Sequence, residues 1–244
     1  MKTFYLLLVI FLSCQVQPKT TDTPEGDSSS LPLVAERSSP DYSIWDRLLR
    51  QAGQQHGLDW MLAKAVMIKE SHCVERYVSY AGAVGLMQLM PREGSYFSTA
   101  YRAYQKARKA SGRIYQGKSQ EDWGKLYQAE LLEIAALSSV DSIYQLDRRF
   151  DPAYNIDEGT RQLAGDFHFF RSRGHGPYTS QILAIAAYNA GRYAVMSDKQ
   201  HPQRDHIPIN KQTELYVAGV QKIYLALQSG KGQLLEHDWY LLKL

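Results

Sequence analysis

Glu70 closes an apolar helical run, Ala63 to Ile68, and the chain beyond it reaches a Gly-punctuated string, Ala81-Gly82-Ala83-Val84-Gly85-Leu86-Met87-Gln88-Leu89-Met90-Pro91. A carboxylate at the end of a hydrophobic helix suits a general acid that has to stay protonated near neutral pH. Burial disfavours its ionised form, and the negative end of the helix dipole disfavours it further. A lone Glu beside Lys69 would otherwise be an ordinary solvated charge, since Glu is seldom buried. Cys73 lies close by but has no His-Asn/Asp arrangement around it, so it reads as a small buried hydrophobe. His72 lacks a ligand set and no H-x-x-x-H pattern exists, so no metal is expected.

The elements that must position Glu70 are helical. Strand signals are scarce, with no long Val/Ile/Thr alternation and no hairpin dipeptide between apolar runs, so the class is mainly α. Ile44, Leu48, Leu49 and Ala52 recur at helical spacing before the stop at Gly57. Asp59 is the expected N-cap of the helix that delivers Glu70. Gly82 and Gly85 permit backbone conformations that side chains resist, and the string they punctuate can line a groove with its amides and carbonyls. Met87 and Met90 could contact a ligand's apolar face; of the two, Met87 is taken as the contact and Met90 as filler.

Further along, Asp151-Pro152 opens a segment in which a helix is expected over 156–170, with Asn155 as cap and Glu158 completing a capping box. From about Thr179 a helix of small apolar residues, able to pass close to the Glu70 helix, runs into Tyr188-Asn189-Ala190-Gly191, where Gly191 is the expected stop. A last helix over 211–228 is expected to pack Leu215, Val217, Val220, Ile223 and Leu227, and the tail ends in Asp-Trp-Tyr-Leu-Leu-Lys-Leu.

These segments, in their order, resemble the soluble lytic transglycosylases. The stretch "KESHCVERYVSYAGAVGLMQLMP" is similar to the catalytic segment of that family, whose fold is lysozyme-like and shared with goose-type lysozyme. "DPAYNIDEGTRQLA" looks like its middle motif and "ILAIAAYNAGRYAV" like its AYNAG motif. A fourth stretch, "IPINKQTELYVAGVQKIY", matches more loosely, with Gln212 standing where a Glu is usual. Four motifs in the right order carry the resemblance, which covers about residues 44 to 227. The expected architecture is a single lysozyme-like helical domain with an inserted helical hairpin.

The resemblance implies cleavage of the peptidoglycan β-1,4 bond between N-acetylmuramic acid and N-acetylglucosamine, without water, leaving a 1,6-anhydro ring. Most glycosidases use two carboxylates. Asp151, Asp157 and Glu158 are accounted for by helix starts and caps, so Glu70 would serve as acid and then as base, with the substrate's N-acetyl group supporting the cation. By the same resemblance Ser79, Met87, Gln88, Tyr188 and Asn189 bind substrate, Tyr188 orienting Glu70 or helping the developing charge. No metal or nucleotide cofactor is called for. A hydrolytic muramidase, and a non-catalytic wall-binding component of a secretion or conjugation machine, remain as alternatives.

The stretch between Pro91 and Asp151 is longer than the family's usual link. An insert of about residues 97–149 is expected to hold two helices. The first, over 101–114, carries Arg102, Lys106, Arg108, Lys109 and Arg113; the second, over 122–137, carries Leu126, Leu131, Leu132, Ile134 and Leu137. Basic residues among Tyr101, Tyr104 and Tyr115 could bind nucleic acid, which an exported protein would not meet. A solvated hairpin, a wall or lid for the groove, and a docking surface (residues 101–149) for an envelope or secretion complex are the open readings of this insert.

The chain has 244 residues, 44% of them hydrophobic and 22% charged, which fits one domain with a real core. Its formal charge of +3 suits an anionic polymer without naming one. Residues 1–14 read as a lipoprotein-type signal: Lys2, an apolar run from Phe4 to Leu12 too short to span a bilayer, then Cys14 as the candidate lipidated residue. Ordinary cleavage near Ser13 is the alternative. Residues 15–40 are expected to be a flexible tether and 41–244 the catalytic domain, held in the periplasm by a lipid anchor.

Overall fold

Asp46–His56 forms the first helix, α1, which Gly57 ends in the left-handed conformation with φ 65°. The computed structural model describes residues 43–92, 95–197 and 204–230. The signal segment with Cys14, the 15–40 tether and the tail after residue 230 therefore lie outside the described residues. Asp59 caps the second helix, α2 (Trp60–Ser71), by accepting the Met61 N–H at 2.9 Å. Leu62, Ala63, Ala65, Val66, Met67 and Ile68 are all buried, so α2 is apolar on every side and can only be a core helix. Lys64 is buried too, and reaches Asp46 on α1 at 2.5 Å.

Around α2 stand α6 (Pro152–Ser172), α7 (Pro177–Ala190) and α9 (Lys211–Gln228), and with α1 they enclose the larger apolar core. The short α8 (Arg192–Val195) follows Gly191, which ends α7 at φ 85°. The helix expected over 156–170 begins earlier. Asp151 accepts the Ala153 N–H and Pro152 occupies the first turn, where its fixed φ is pre-set and no N–H is needed. Asn155 is consequently not a cap, and Glu158 forms no capping box; it pairs with Arg92 and Arg161 instead.

In the insert, α3 (Thr99–Lys109) and α4 (Gln120–Ala135) pack on each other across a short hairpin, β1 (Ile114–Tyr115) against β2 (Lys118–Ser119). The hairpin and a further helix, α5 (Val140–Leu146), add to the two helices expected there. The apolar stripe of α4 is rotated from the expected one. Tyr127, Leu131 and Ile134 are buried, while Leu126 and Leu132 are 43% and 49% exposed. On α3, Lys106 caps the Tyr115 ring and hydroxyl, and Arg102 donates to the Phe97 and Ser98 carbonyls. The insert is not a solvated hairpin: its Tyr127, Leu131, Ile134 and Ile143, with Phe150 just after it, form a second core with Val84 of the Gly-rich string and Val78 just before that string.

That string therefore joins the two cores. Val78 and Val84 belong to the insert's cluster, and Leu86, Met87 and Leu89 to the larger one.

Candidate active site

Glu70 is the penultimate residue of α2, just before His72 takes the left-handed C-cap conformation. Glu70 as a residue is half-buried, and enough protein surrounds its carboxyl that burial is the largest influence on its proton affinity. Burial raises its pKa to about 7, against the pull of the Tyr216 hydrogen bond and the Lys69 charge. The group is thus divided between acid and carboxylate at neutral pH, as a group that must both give and take a proton requires. Tyr216, on α9 and 7% exposed, donates its hydroxyl to Glu70 Oε1 at 2.5 Å. Burial likewise lowers the Lys69 ammonium, which lies along Gly219 on α9.

Tyr216 had no assigned role in the sequence. The expected face of the last helix counted Leu215, which is 41% exposed. The buried positions are Thr213, Tyr216, Val217, Gly219, Val220 and Ile223, a helical series that includes the tyrosine. A count centred on Val220 finds it, as does the Tyr-Val pair of the fourth matching stretch.

The Gly-rich string folds into tight reversals bridged at Val78–Val84 and Val84–Leu89. Gly85 has φ 81°, and a Cβ there would lie 2.2 Å from Asn155 Nδ2 and 2.7 Å from the Arg149 carbonyl, so only glycine fits. Ser79 sits in the first reversal, where its hydroxyl accepts the Ala83 N–H at 3.0 Å. Gln88 has φ 50° and donates its side-chain amide to the carbonyls of Tyr77 and Gly85, at 3.1 and 2.9 Å. Both are partly accessible, and both are engaged in holding the string's shape.

Met87 corrects the expectation of a side chain on the ligand. It is fully buried, wedged where a Cβ on Gly159 would come within 2.5 Å of it, whereas Met90 is 37% exposed. Met87 serves the site through its main chain. Its N–H donates to Asn155 Oδ1 at 2.7 Å and its carbonyl accepts the Tyr188 hydroxyl at 2.7 Å. The Tyr188 hydroxyl thus goes to the string rather than to Glu70, although the Glu70 charge, after burial, is among the influences raising its phenol. Asn189 accepts from the Thr213 hydroxyl at 3.2 Å, tying the end of α7 to the first turn of α9, one turn before Tyr216.

Two further residues shape the string: Asn155, expected only as a helix cap, and Arg149, which the sequence did not single out. Asn155 also donates to the carbonyls of Val84 and Arg149, at 2.9 and 2.7 Å. Arg149, 2% exposed, donates to the carbonyls of Gly82 and Leu89 at 2.7 and 2.9 Å, to the Tyr127 hydroxyl, and to Asp147. The signal for Asn155 was its place in the middle motif; Arg149 has no local signature. Burial raises the Cys73 thiol to about 12, which leaves it no thiolate at neutral pH. Among the described residues no group of three or more His, Cys, Asp and Glu is placed to hold a metal ion.

A model of the transglycosylase SLT domain matches residues 47–111 and 134–209, leaving 112–133, most of the hairpin and α4, unmatched. The membrane-bound lytic murein transglycosylase C of Histophilus somni (strain 2336) is 26% identical over 211 residues, covering 85% of this chain and 48% of that protein. The protein of the same name from Sodalis glossinidius is 26% identical over 186 residues, 76% of this chain and 42% of that one. Its Salmonella arizonae namesake is 29% identical over 149 residues, 61% and 31% respectively. The chain thus spans about half the length, or less, of these curated relatives. Among solved structures, an inactive mutant of the lytic transglycosylase Slt from Pseudomonas aeruginosa aligns with a TM-score of 0.44 at 22% identity, over 78% of this chain and 25% of that one.

Proposed function

Because the chain belongs to the transglycosylase SLT domain family, and has its mainly helical, lysozyme-like fold, we propose that it cleaves peptidoglycan between N-acetylmuramic acid and N-acetylglucosamine as a lytic transglycosylase. The observation that carries the reading is Glu70: one enclosed carboxyl with a pKa near 7, held by a tyrosine hydroxyl and followed directly by Ser71, whose hydroxyl donates to the Leu86 carbonyl of the Gly-rich string. Protonated Glu70 donates to the glycosidic oxygen as the bond to the muramic C1 breaks. The sugar's own N-acetyl group supports the cation, so no second carboxylate is needed. The Glu70 carboxylate then removes the proton of the muramic 6-hydroxyl as that oxygen closes on C1, forming the 1,6-anhydro ring and restoring the acid. Tyr216 stabilises the carboxylate between the two steps. Tyr188 through the Met87 carbonyl, Ser79 through the Ala83 N–H, Gln88 through the Tyr77 and Gly85 carbonyls and Asn189 through Thr213 hold the string and the end of α7 against which the substrate is proposed to lie.

Mass spectrometry of the soluble products from purified sacculi tests this. Products one water lighter than the hydrolytic ones, ending in 1,6-anhydromuramic acid, are expected. Reducing ends would make the protein a muramidase, and binding without products would make it a wall-binding component.

Location at the cell envelope follows as part of the same proposal, supported by relatives named membrane-bound. No helix among the described residues is long and apolar enough to cross a membrane; the proposed anchor is a lipid on Cys14. Labelling with palmitate, lost in Cys14→Ser, checks this. An envelope partner at the insert is a separate proposal: Leu126→Lys with Leu132→Lys, on the exposed side of α4, should release such a partner in a pull-down.

A further inference from the structure

A pocket of about 540 Å³ opens between α6 and the α7–α8 turn, lined by Gln162, Asp166, Phe169, Arg173, Arg192 and Tyr193 among others. It adjoins the end of α7 that carries Tyr188, and the charges of both Glu70 and Asp166 act on the Tyr188 phenol, so the pocket and the acid share one neighbourhood. Its two arginines differ in what they have left to offer. Arg173 is bound through two nitrogens to Asp205, at 2.6 and 2.8 Å. Arg192 gives Asp166 only its Nε–H, at 2.6 Å, and its terminal nitrogens carry no hydrogen bond among the described residues.

The Arg192 fork is also held in place. Its guanidinium lies 4.6 Å from the Phe169 ring centre, and Asp166, with a side chain 6% exposed, fixes its other edge. A guanidinium anchored at Nε and stacked on an aromatic ring presents two parallel N–H groups, the geometry that matches a carboxylate. A neutral pyranose would instead need a bare aromatic face, and Arg192 and Arg173 both lie over that of Phe169.

We propose that the pocket receives a carboxylate of the peptide stem carried by the glycan strand, bound end-on by Arg192. The proposal rests on the wall-cleaving reading above, since it takes its ligand from the same polymer. In an intact strand the lactyl carboxyl of muramic acid is consumed in the amide to the peptide, so the carboxylates on offer are those of the stem. The stem's negative charge suits the free Arg192 fork, and the strand would be gripped by its peptide while Glu70 attacks its sugar.

The test is calorimetric titration of the full chain with free L-alanyl-γ-D-glutamyl-diaminopimelyl-D-alanine, with the same peptide fully methyl-esterified, and with N-acetylmuramic acid. Because Arg192→Gln alone would strand the buried Asp166, the comparison is Asp166→Asn against Asp166→Asn with Arg192→Gln. Loss of the fork should weaken the acidic tetrapeptide about tenfold, the usual worth of one charge-assisted pair, and leave the ester's affinity alike in both. Equal tetrapeptide affinity in the two variants overturns the proposal. So does N-acetylmuramic acid binding as tightly as the tetrapeptide, which would assign the fork to the lactyl carboxylate. If the double variant does not fold, the wild-type Arg192 Nε resonance and Tyr193 ring signals must shift on titration with the tetrapeptide; unmoved signals overturn it equally. None of these readouts needs turnover. A chain inert on sacculi that still binds the tetrapeptide removes the proposed chemistry and keeps the pocket, and an active chain indifferent to the tetrapeptide does the reverse.

Discussion

Tyr216 donates its hydroxyl to Glu70 Oε1 across 146 positions of chain, so α9 sets the environment of the acid borne by α2. The bond favours the carboxylate and so opposes the burial that raises Glu70. Tyr216→Phe is expected to raise the Glu70 pKa above its value near 7 and to move the alkaline limb of the pH–rate profile upward. The rate at the optimum should fall about tenfold, as the ionised state loses a charge-assisted bond. A drop in rate with the limb unmoved would make Tyr216 a packing residue only.

Glu70→Gln keeps the shape of the side chain and removes its proton chemistry. Release of soluble products from sacculi should drop by about a thousandfold, the scale of general acid–base catalysis, while the protein still sediments with sacculi. In the wild type, kcat/KM should decline as pH rises through about 7, because the protonated acid is the form that starts the reaction.

Glu70 also makes stability depend on pH. Its folded value is raised, so the folded state holds the proton more tightly than the unfolded chain does. The stabilisation this brings is complete below the ordinary carboxylate value and is lost as pH rises through about 7. Urea melts of wild type and Glu70→Gln at pH 5 and pH 8 should show the variant gaining on the wild type by on the order of 2 kcal/mol at the higher pH.

Arg149 and Asp147 form a buried pair at 2.6 Å whose guanidinium also holds two carbonyls of the Gly-rich string. Arg149→Met strands the buried Asp147 and is expected to destabilise the fold by about 3–5 kcal/mol. Adding Asp147→Asn should recover part of that stability and little of the activity, because the Gly82 carbonyl still lacks its Arg149 donor and the Leu89 carbonyl keeps only the Val84 N–H. Denaturant melts read beside product release separate the two effects.

What could be read in the sequence was what local chemistry dictates. Asp59, Gly57 and Gly191 cap their helices as their types require, and Glu70 ends an apolar helix whose pattern is contiguous. What stayed hidden depends on partners far along the chain. Asn155 with Glu158 mimics a capping box, but the Asp151-Pro152 start wins, and the amide turns inward to the Met87 N–H, 68 positions away. Met87 reads as a flexible apolar contact until Gly159 is seen to leave room for it in the core. The α4 stripe was misplaced because five apolar residues allow more than one helical face, and only the packing against Val78 and Val84 selects Tyr127, Leu131 and Ile134.

The clamp on the Gly-rich string bears on timing. Its carbonyls at Gly82, Val84 and Leu89 take side-chain donors from Arg149 and Asn155, some 60 to 71 positions away, and Glu70 gains its hydroxyl donor from Tyr216. A nascent chain that stops short of α9 therefore carries the acid without the surroundings that tune it, and contacts this distant in sequence form late. The tuned acid is therefore a product of the assembled fold: a chain cut before α9, the last helix among the described residues, would keep Glu70 and lose the hydroxyl that sets its proton affinity.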